Sequence, residues 1–480
     1  MTEVVNEKLL EERLVALEGA RQWSPRVVSR LEAVIRSGKD DALFRINPVK
    51  FAADKSLAET EAIDLFLHAA AVGLFEMNWM LLCPTCSCVV ESFGVMNKLH
   101  DRYHCHLCRT DIEAKLDDYI AVTFTVSQQI RSIKFHQPAD LTPSEHCFCY
   151  VLSREGRLPD GDAFADMWGR ITRAVNYLLP EATTRFEVDA EPGLLIGWDT
   201  QRDIGFGFAV DVSAPSSGLM HVRLSDSACD PGAGAVAPGK VTIEVENATS
   251  RRVLFGITNL PPDYDLQHPP LDFSSLLSGG RLLTTQTFRD LFRSQVIEAA
   301  EGIGVRDVAL LFTDLKGSTE LCDRIGDLNA YSQVQRHFEC LMDVPIRHRG
   351  AVIKTIGDAV MAAFLKSADA VEAALEMRKV IEQFNETRAN RDFILKIGVH
   401  RGASIAVTLN DRLDYFGQTV NIASRIQHLA EGDEICLTED VFSSTGVTSL
   451  LSPYTVKRDR ARLKGVAQEL VVYRVQLGSA

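Results

Sequence analysis

The chain has 480 residues, 46% hydrophobic and 24% charged, a composition that suits a folded protein long enough for two to four domains. A formal net charge of -14 and a pI near 5.4 argue against broad affinity for nucleic acid or anionic membranes, which would need a cationic field. The most apolar stretch, residues 65–82, is broken by His68, Glu76 and Asn78, and the N-terminus MTEVVNEKLLEERL is acidic. Neither a membrane span nor an export signal is therefore expected. Eleven cysteines, four of them in CxxC pairs, fit a reducing cytoplasm better than a disulfide-built exterior.

Residues 1–82 carry helical spacing. Leu9, Leu10, Leu14 and Leu17 form one stripe and Val27, Val28, Leu31, Val34 and Ile35 another, as on core-facing helices. Over 83–118, Cys83-Pro-Thr-Cys86 and, eighteen residues on, Cys105-His-Leu-Cys108 have the spacing of two zinc knuckles presenting four thiolates to one tetrahedral ion. Such a zinc ribbon has no open position, so its Zn²⁺ is expected to be structural. Cys88, His104 and His106 are read as neighbours of the site, with ligand exchange among them left open.

Residues 119–260 read as an α/β-rich region with a regulatory role. Alternation over 119–135 predicts a strand pair, and Phe164, Met167, Trp168, Ile171, Val175 and Leu178 predict a helix face between residues 162 and 179. Short β-rich runs over 184–260, VTIEVEN and RRVLFGITN among them, predict a small sandwich. Pro261, Pro262, Pro269 and Pro270 mark residues 261–304 as a linker, ending in a short helix that carries Phe288, Leu291, Phe292 and Val296.

The most informative stretch is VALLFTDLKGST, residues 308–319, an apolar strand read as ending on Asp314 before Gly317, Ser318 and Thr319 open a helix. The free N–H groups of such a helix start attract phosphate. A carboxylate beside a phosphate asks for a divalent cation between them. A second carboxylate, Asp358, follows Gly357 where two β-favouring runs meet in a hairpin signal.

FTDLKGST, KTIGDAVMAAF, DYFGQTVNIASR and RLKG, in this order and spacing, resemble the catalytic domain of class III adenylate/guanylate (nucleotidyl) cyclases over residues 305–477. The upstream half resembles an uncharacterised domain found in front of some bacterial members. The resemblance implies an α+β fold: a C-terminal ferredoxin-like βαββαβ palm behind a mixed helical, zinc-ribbon and β-rich N-terminal region. It implies an adenylate cyclase that converts ATP to 3′,5′-cyclic AMP and pyrophosphate. Asp314 and Asp358 are the expected ligands of two Mg²⁺ or Mn²⁺ ions, with Gly317, Ser318 and Thr319 at the phosphates.

Lys354 and Asp414 match the family's adenine-reading positions, and their chemistry agrees. Lysine only donates and ionised aspartate only accepts, which matches adenine's N1 and 6-amino group and opposes both edges of guanine. Asn421 and Arg425, four apart on one helical face, match the pair that meets the ribose and the pentavalent phosphorus. Lys464 is expected at the terminal phosphates, with Arg460 and Arg462 near enough to replace it.

Because Lys354 and Asp358 share one hairpin while ATP is extended, the resemblance implies a head-to-tail homodimer. Each site would take Asp314 and Asp358 from one protomer and Lys354, Asp414, Asn421, Arg425 and Lys464 from the other. The competing readings are a catalytically idle nucleotide-binding sensor whose zinc-containing half binds a partner, and a guanylate cyclase. The GG(D/E)EF turn of diguanylate cyclases is absent.

Overall fold

The computed structural model describes residues 5–96, 99–100, 102–214, 219–265, 271–293, 302–386, 393–410, 412–466 and 468–476. Pro269, Pro270 and Val296 of the predicted linker, and the side chains of Ser318 and Thr319, lie outside the described set.

The chain opens with α1 (Glu7–Ala20), α2 (Val27–Ser37), α3 (Pro48–Lys55) and α4 (Glu59–Ala71). Their predicted stripes face inward, with Leu10, Leu14, Leu17, Val27, Val28, Leu31 and Ile35 buried. The helical region stops at Ala71, short of the expected residue 82. β1 (Phe75–Leu82) is instead the middle strand of a three-stranded antiparallel sheet, between β2 (Val89–Phe93) and β5 (Ile120–Val126). Phe75, Met77, Trp79 and Leu81 enter one core while Met80 and Leu82 enter another. Burial on both faces from Trp79 to Leu82 erases the alternation by which a strand is read.

For the same reason residues 119–135 hold one strand, β5, rather than a pair. All seven residues of β5 are buried, and its partner β1 precedes the ribbon hairpin β3 (Arg102–Cys105) and β4 (Thr110–Glu113). The predicted helix over 162–179 is also divided. After a single turn, α5 (Pro143–Glu145), α6 (Phe164–Ile171) gives way at Thr172 to β6 (Thr172–Leu178), whose Thr, Val and Tyr suit a pleated surface.

The sandwich has two sheets around Phe186, Phe206, Phe208, Ile243 and Phe255. One contains β7 (Ala182–Ala190), β10 (Leu219–Leu224), β11 (Cys229–Asp230) and β13 (Gly239–Asn247). The other combines β6 with β8 (Gly193–Asp199), β9 (Gly205–Val210), β12 (Ala233–Val236) and β14 (Val253–Leu260).

Residues 271–291 are core rather than linker. Leu271, Phe273, Leu276 and Leu277 are buried, as are Leu282 and Leu283 of α7 (Gly279–Leu283) and Phe288 of α8 (Gln286–Leu291). The Phe288 ring lies 6.0 Å from that of Trp79 and stacks on Phe292.

The palm follows in the order β15 (Ile303–Lys316), α9 (Ser318–Ile325), α10 (Asp327–Leu341), α11 (Asp343–Arg347), β16 (Gly350–Ile356), β17 (Ala359–Phe364), α12 (Ser367–Glu386) and β18 (Ile394–Leu409). β19 (Arg412–Phe416) and α13 (Gln418–Leu429) come next, and β20 (Glu434–Thr438), α14 (Glu439–Phe442), α15 (Val447–Leu451), β21 (Thr455–Ala461) and β22 (Leu470–Gln476) complete it. The sheet runs β16-β17-β15-β18-β20-β22-β21, with β19 folded onto β18. Its first four strands by sequence stand in the order second, third, first, fourth, the ferredoxin-like arrangement.

One face of the sheet packs Leu311, Phe364 and Val399 against Met377 and Ile381 of α12. The other face contributes Leu310, Phe312, Ile353, Met361, Leu413 and Tyr415 to a single core shared with α1, α2, α4, β1, β5 and Phe288. A β-bulge between Val305 and Val308 releases backbone N–H groups, and Asp117, at the end of the ribbon segment, accepts from Arg306 N at 2.8 Å and Asp307 N at 3.0 Å.

Candidate functional site

Asp314 does not terminate its strand: β15 continues two residues to Lys316, and Gly317, at φ +83°, makes the turn into α9. Asp358 occupies the turn between β16 and β17 beside Gly357, at φ +63°, a conformation glycine adopts without Cβ strain. The β15–β17 ladder pairs Phe312 with Met361, and Val360 N donates to Thr313 Oγ1 at 3.0 Å, which brings the two carboxylates to one end of the sheet. Burial, and then the charge of Asp358, push the Asp314 carboxyl above its ordinary range. Asp358 Oδ2 is buried with no hydrogen-bond partner among the described residues. Two carboxylates near enough to shift one another, one with an oxygen unpartnered among the described residues, fit a hard divalent cation ligated by oxygen.

Lys354 and Asp414 meet directly: Lys354 Nζ donates to Asp414 Oδ2, although β16 and β19 are not neighbouring strands. A bulge at Ile353 shifts the β16 register so that Val352 faces Ala362 while Lys354 faces Met361. Asp414 is 7% exposed and Lys354 is partly buried, so this donor and acceptor meet where solvent competes weakly.

α13 lies close on β18 because position 398 is glycine; a Cβ there would collide with the backbone of Gln427. That seating places Asn421 and Arg425, with Arg462 and Lys464 from the β21–β22 connection, around one cleft of about 560 Å³. Arg460 and Arg462 both lie within ion-pairing distance of Glu469, at 3.7 and 3.6 Å. Lys464 has no such partner among the described residues, which favours it over the two arginines. Neither Asp314 nor Asp358 lines this cleft among the described residues.

The four ribbon cysteines also converge. Sγ of Cys83 lies 3.3 Å from that of Cys108, and Sγ of Cys86 lies 3.6 Å from that of Cys105. Ser87 and Arg109, each immediately after the second cysteine of its pair, have φ of +52° and +56°. Two knuckles thus repeat one conformation that non-glycine residues seldom adopt. The four sulfurs fit a tetrahedral Zn²⁺, whose 2.3 Å bonds set sulfurs roughly 3.8 Å apart. Cys88 is outside the set.

Two contacts escaped the sequence reading. Gln286 Oε1 accepts from Val352 N at 2.9 Å, and Arg289 donates to the carbonyl of Leu413, next to Asp414. Arg289 is deeply buried, which lowers its pKa, and the neighbouring Tyr415 hydroxyl and Asp414 carboxylate oppose that shift. No motif marks these residues; only the docking of α8 against β16 and β19 does.

Two parts of the chain match known families. Residues 11–290 match a family of unknown function (DUF5939), and residues 303–476 match the adenylate and guanylate cyclase catalytic domain. The chain belongs to that family of unknown function, and its C-terminal domain is a class III nucleotidyl cyclase catalytic domain.

The adenylate cyclase of Anabaena cylindrica is 26% identical over 206 residues, covering 39% of this chain and 41% of that protein. Adenylate cyclase 2 of Rhizobium meliloti is 26% identical over 207 residues, covering 40% and 56%. The chain therefore spans about half the length of these relatives. A receptor-type guanylate cyclase of Caenorhabditis elegans, gcy-23, is 25% identical over 143 residues, covering 27% and 13%. Among solved structures, the adenylyl cyclase CyaB from P. aeruginosa aligns at 20% identity with a TM-score of 0.32, covering 37% of this chain and 97% of that one. Among the described residues, no helix is long and apolar enough to cross a membrane.

Proposed function

We propose that the protein is a cytoplasmic adenylate cyclase, acting at two composite sites of a head-to-tail homodimer under the control of its N-terminal half. The observation that carries the choice of base is the contact between Lys354 and Asp414, a donor beside an acceptor at a partly buried position. Adenine entering there replaces the ion pair with one hydrogen bond to each side chain. Guanine would set donor against donor and acceptor against acceptor. At about 1 to 3 kcal/mol per buried mismatch, ATP is favoured by roughly two orders of magnitude.

Asp314 and Asp358 would hold two Mg²⁺ or Mn²⁺ ions, which when bound acidify the 3′-hydroxyl and neutralise the triphosphate. The N–H groups opening α9 after Gly317 face the phosphates. The 3′-oxygen bonds to the α-phosphorus while the bond to the bridging oxygen breaks and pyrophosphate leaves. Asn421 orients the ribose, Arg425 meets the charge that grows on the α-phosphoryl oxygens, and Lys464 holds the departing phosphates.

Two features support the shared site. Among the described residues, neither Asp314 nor Asp358 lines the cleft of Asn421, Arg425 and Lys464, as expected where a second copy brings the two sets together. Exposed Ile405 and Phe416 face each other across β18 and β19, and Leu409 is exposed on the same arm, an apolar patch suited to a second copy.

Control by the N-terminal half is supported by the shared core, in which Ile353 and Leu413, the neighbours of the two base readers, pack with α1, α4 and Phe288. The four-thiolate Zn²⁺ is read as structural. The deciding experiment incubates full-length protein with ATP or GTP and with Mg²⁺ or Mn²⁺ and measures both cyclic nucleotides. Cyclic AMP from ATP, with little cyclic GMP from GTP, is expected. Nucleotide binding without either product would mean an idle sensor, and preferred cyclic GMP formation a guanylate cyclase.

A further inference from the structure

We propose that His104, His106 and Asp203 form a second metal site, distinct from the four thiolates, for a borderline divalent transition ion such as Zn²⁺, and that this ion pins the ribbon hairpin to the sandwich.

The two histidines flank Cys105 on β3 and the next turn, while Asp203 comes from the loop between β8 and β9, almost a hundred residues later. That loop is set by buried Asp199, which accepts from Gln201 N at 2.9 Å and from Arg202 Nε at 2.7 Å, leaving Asp203 turned to the ribbon. His104 Nε2 lies 2.9 Å from each Asp203 oxygen, and His106 Nδ1 lies 3.0 Å from Oδ1. One ligand atom from each of the three residues lies within 4.8 Å of the others. Bonds of about 2.0–2.1 Å in a tetrahedral shell require ligand atoms roughly 3.3 Å apart, so binding needs only small side-chain adjustments.

The other nitrogen of His104 supplies an independent sign. The β3–β4 register sets His104 opposite Asp111, and His104 Nδ1 lies 2.7 Å from Asp111 Oδ1. A histidine whose Nδ1–H is held by a carboxylate presents the Nε2 lone pair in a fixed direction, as in carboxylate–histidine–metal arrangements. Here that direction is toward Asp203.

Two imidazoles and a carboxylate suit Zn²⁺, Co²⁺ or Ni²⁺ better than the hard ions of the carboxylate pair. Three protein ligands leave the remaining positions to water. His104 and His106 also line a cavity of about 260 Å³ with His146, Tyr177 and Arg252, through which that water can exchange. The ribbon would therefore hold one closed, inert ion and one open, exchangeable ion.

The test uses the full chain, purified without chelators, saturated with Zn²⁺ and freed of unbound metal. Wild type is expected to carry two equivalents, and Asp203→Ala and His106→Gln one each. Asp111→Asn should weaken the second equivalent roughly 10- to 100-fold and leave the first unchanged. With Co²⁺ in place of Zn²⁺, the first equivalent should give thiolate-to-metal charge transfer and the second only weak d–d bands. The proposal is overturned if wild type takes up no more metal than Asp203→Ala, which would leave a simple histidine–aspartate ion pair. It is equally overturned if the second equivalent survives in both variants or shows thiolate charge transfer. Loss of charge transfer from the first equivalent would count against the four-cysteine site alone.

Discussion

The two faces of the palm sheet are built from the same alternating strands and serve different purposes. The face carrying Leu311, Phe364 and Val399 is covered by the palm's own α12, so its packing closes within the catalytic domain. The face carrying Ile353, Leu413 and Tyr415 is covered by the N-terminal half, through α8 and the helices around Phe288. Lys354 and Asp414 are sequence neighbours of that second set. Among the described residues, the proposed base readers thus adjoin side chains that pack with the N-terminal half, whereas the α12 face packs within the palm.

The largest effect should come from the chemistry itself. Asp314→Ala and Asn421→Ala are each expected to lose at least about a hundredfold in turnover, as removal of groups that stabilise a transition state does. Mixed and allowed to exchange subunits, the two variants should recover about a quarter of wild-type activity, because half the dimers are mixed and one site in each carries neither lesion. A mixture that stays inactive after exchange has been demonstrated would place the whole site within one chain.

Next in size is the base preference. Lys354→Glu combined with Asp414→Cys should lower the ATP to GTP ratio of kcat/KM by roughly two orders of magnitude. An unchanged ratio would mean that the pair is a structural ion pair and the base is read elsewhere.

The contrast between the faces is tested by truncating one side chain on each. Leu311→Ala and Leu413→Ala should each cost about 2–5 kcal/mol in chemical denaturation, the usual cost of a core cavity. Only Leu413→Ala should also move the ATP to GTP ratio. Arg289→Met should shift that ratio in the same direction with a smaller stability cost, about 1–3 kcal/mol for the lost charged hydrogen bond to the Leu413 carbonyl. Equal behaviour of the two faces would remove the argument for control through α8.

The smallest effect concerns pH. Because the folded state raises the Asp314 pKa, the metal-free fold binds this proton more tightly than the unfolded chain does. That contribution is complete below the unfolded aspartate pKa and is lost as pH rises through the folded value. In chelator, thermal unfolding should therefore show Asp314→Asn gaining on wild type as pH rises from the acid range to neutrality. Added Mg²⁺ or Mn²⁺ should stabilise wild type and not the variant.

Local chemistry made much of this molecule legible. The cysteine pairs, the stripes of α1 and α2, the Gly-Asp hairpin and the Asn421 to Arg425 spacing each depend on residues close in sequence, and each sits in the structure where its pattern indicated. Two misreadings share a cause. β5 is buried along its whole length and β1 from Trp79 to Leu82, and such burial removes the polar positions that reveal a period. The helix predicted over 162–179 failed at Thr172 because β6 answers to pairing with β14, about 80 residues away.

What tertiary structure alone decided is which distant groups face each other. It set Arg289 on the Leu413 carbonyl, Asp117 on the bulge of β15 and Asp203 on the ribbon histidines. These contacts join elements about 100 residues or more apart, and their geometry comes from packing rather than from any repeat in the sequence. The order of residues fixes what chemistry each segment carries, while the burial shared between segments decides which of those chemistries can act on one another.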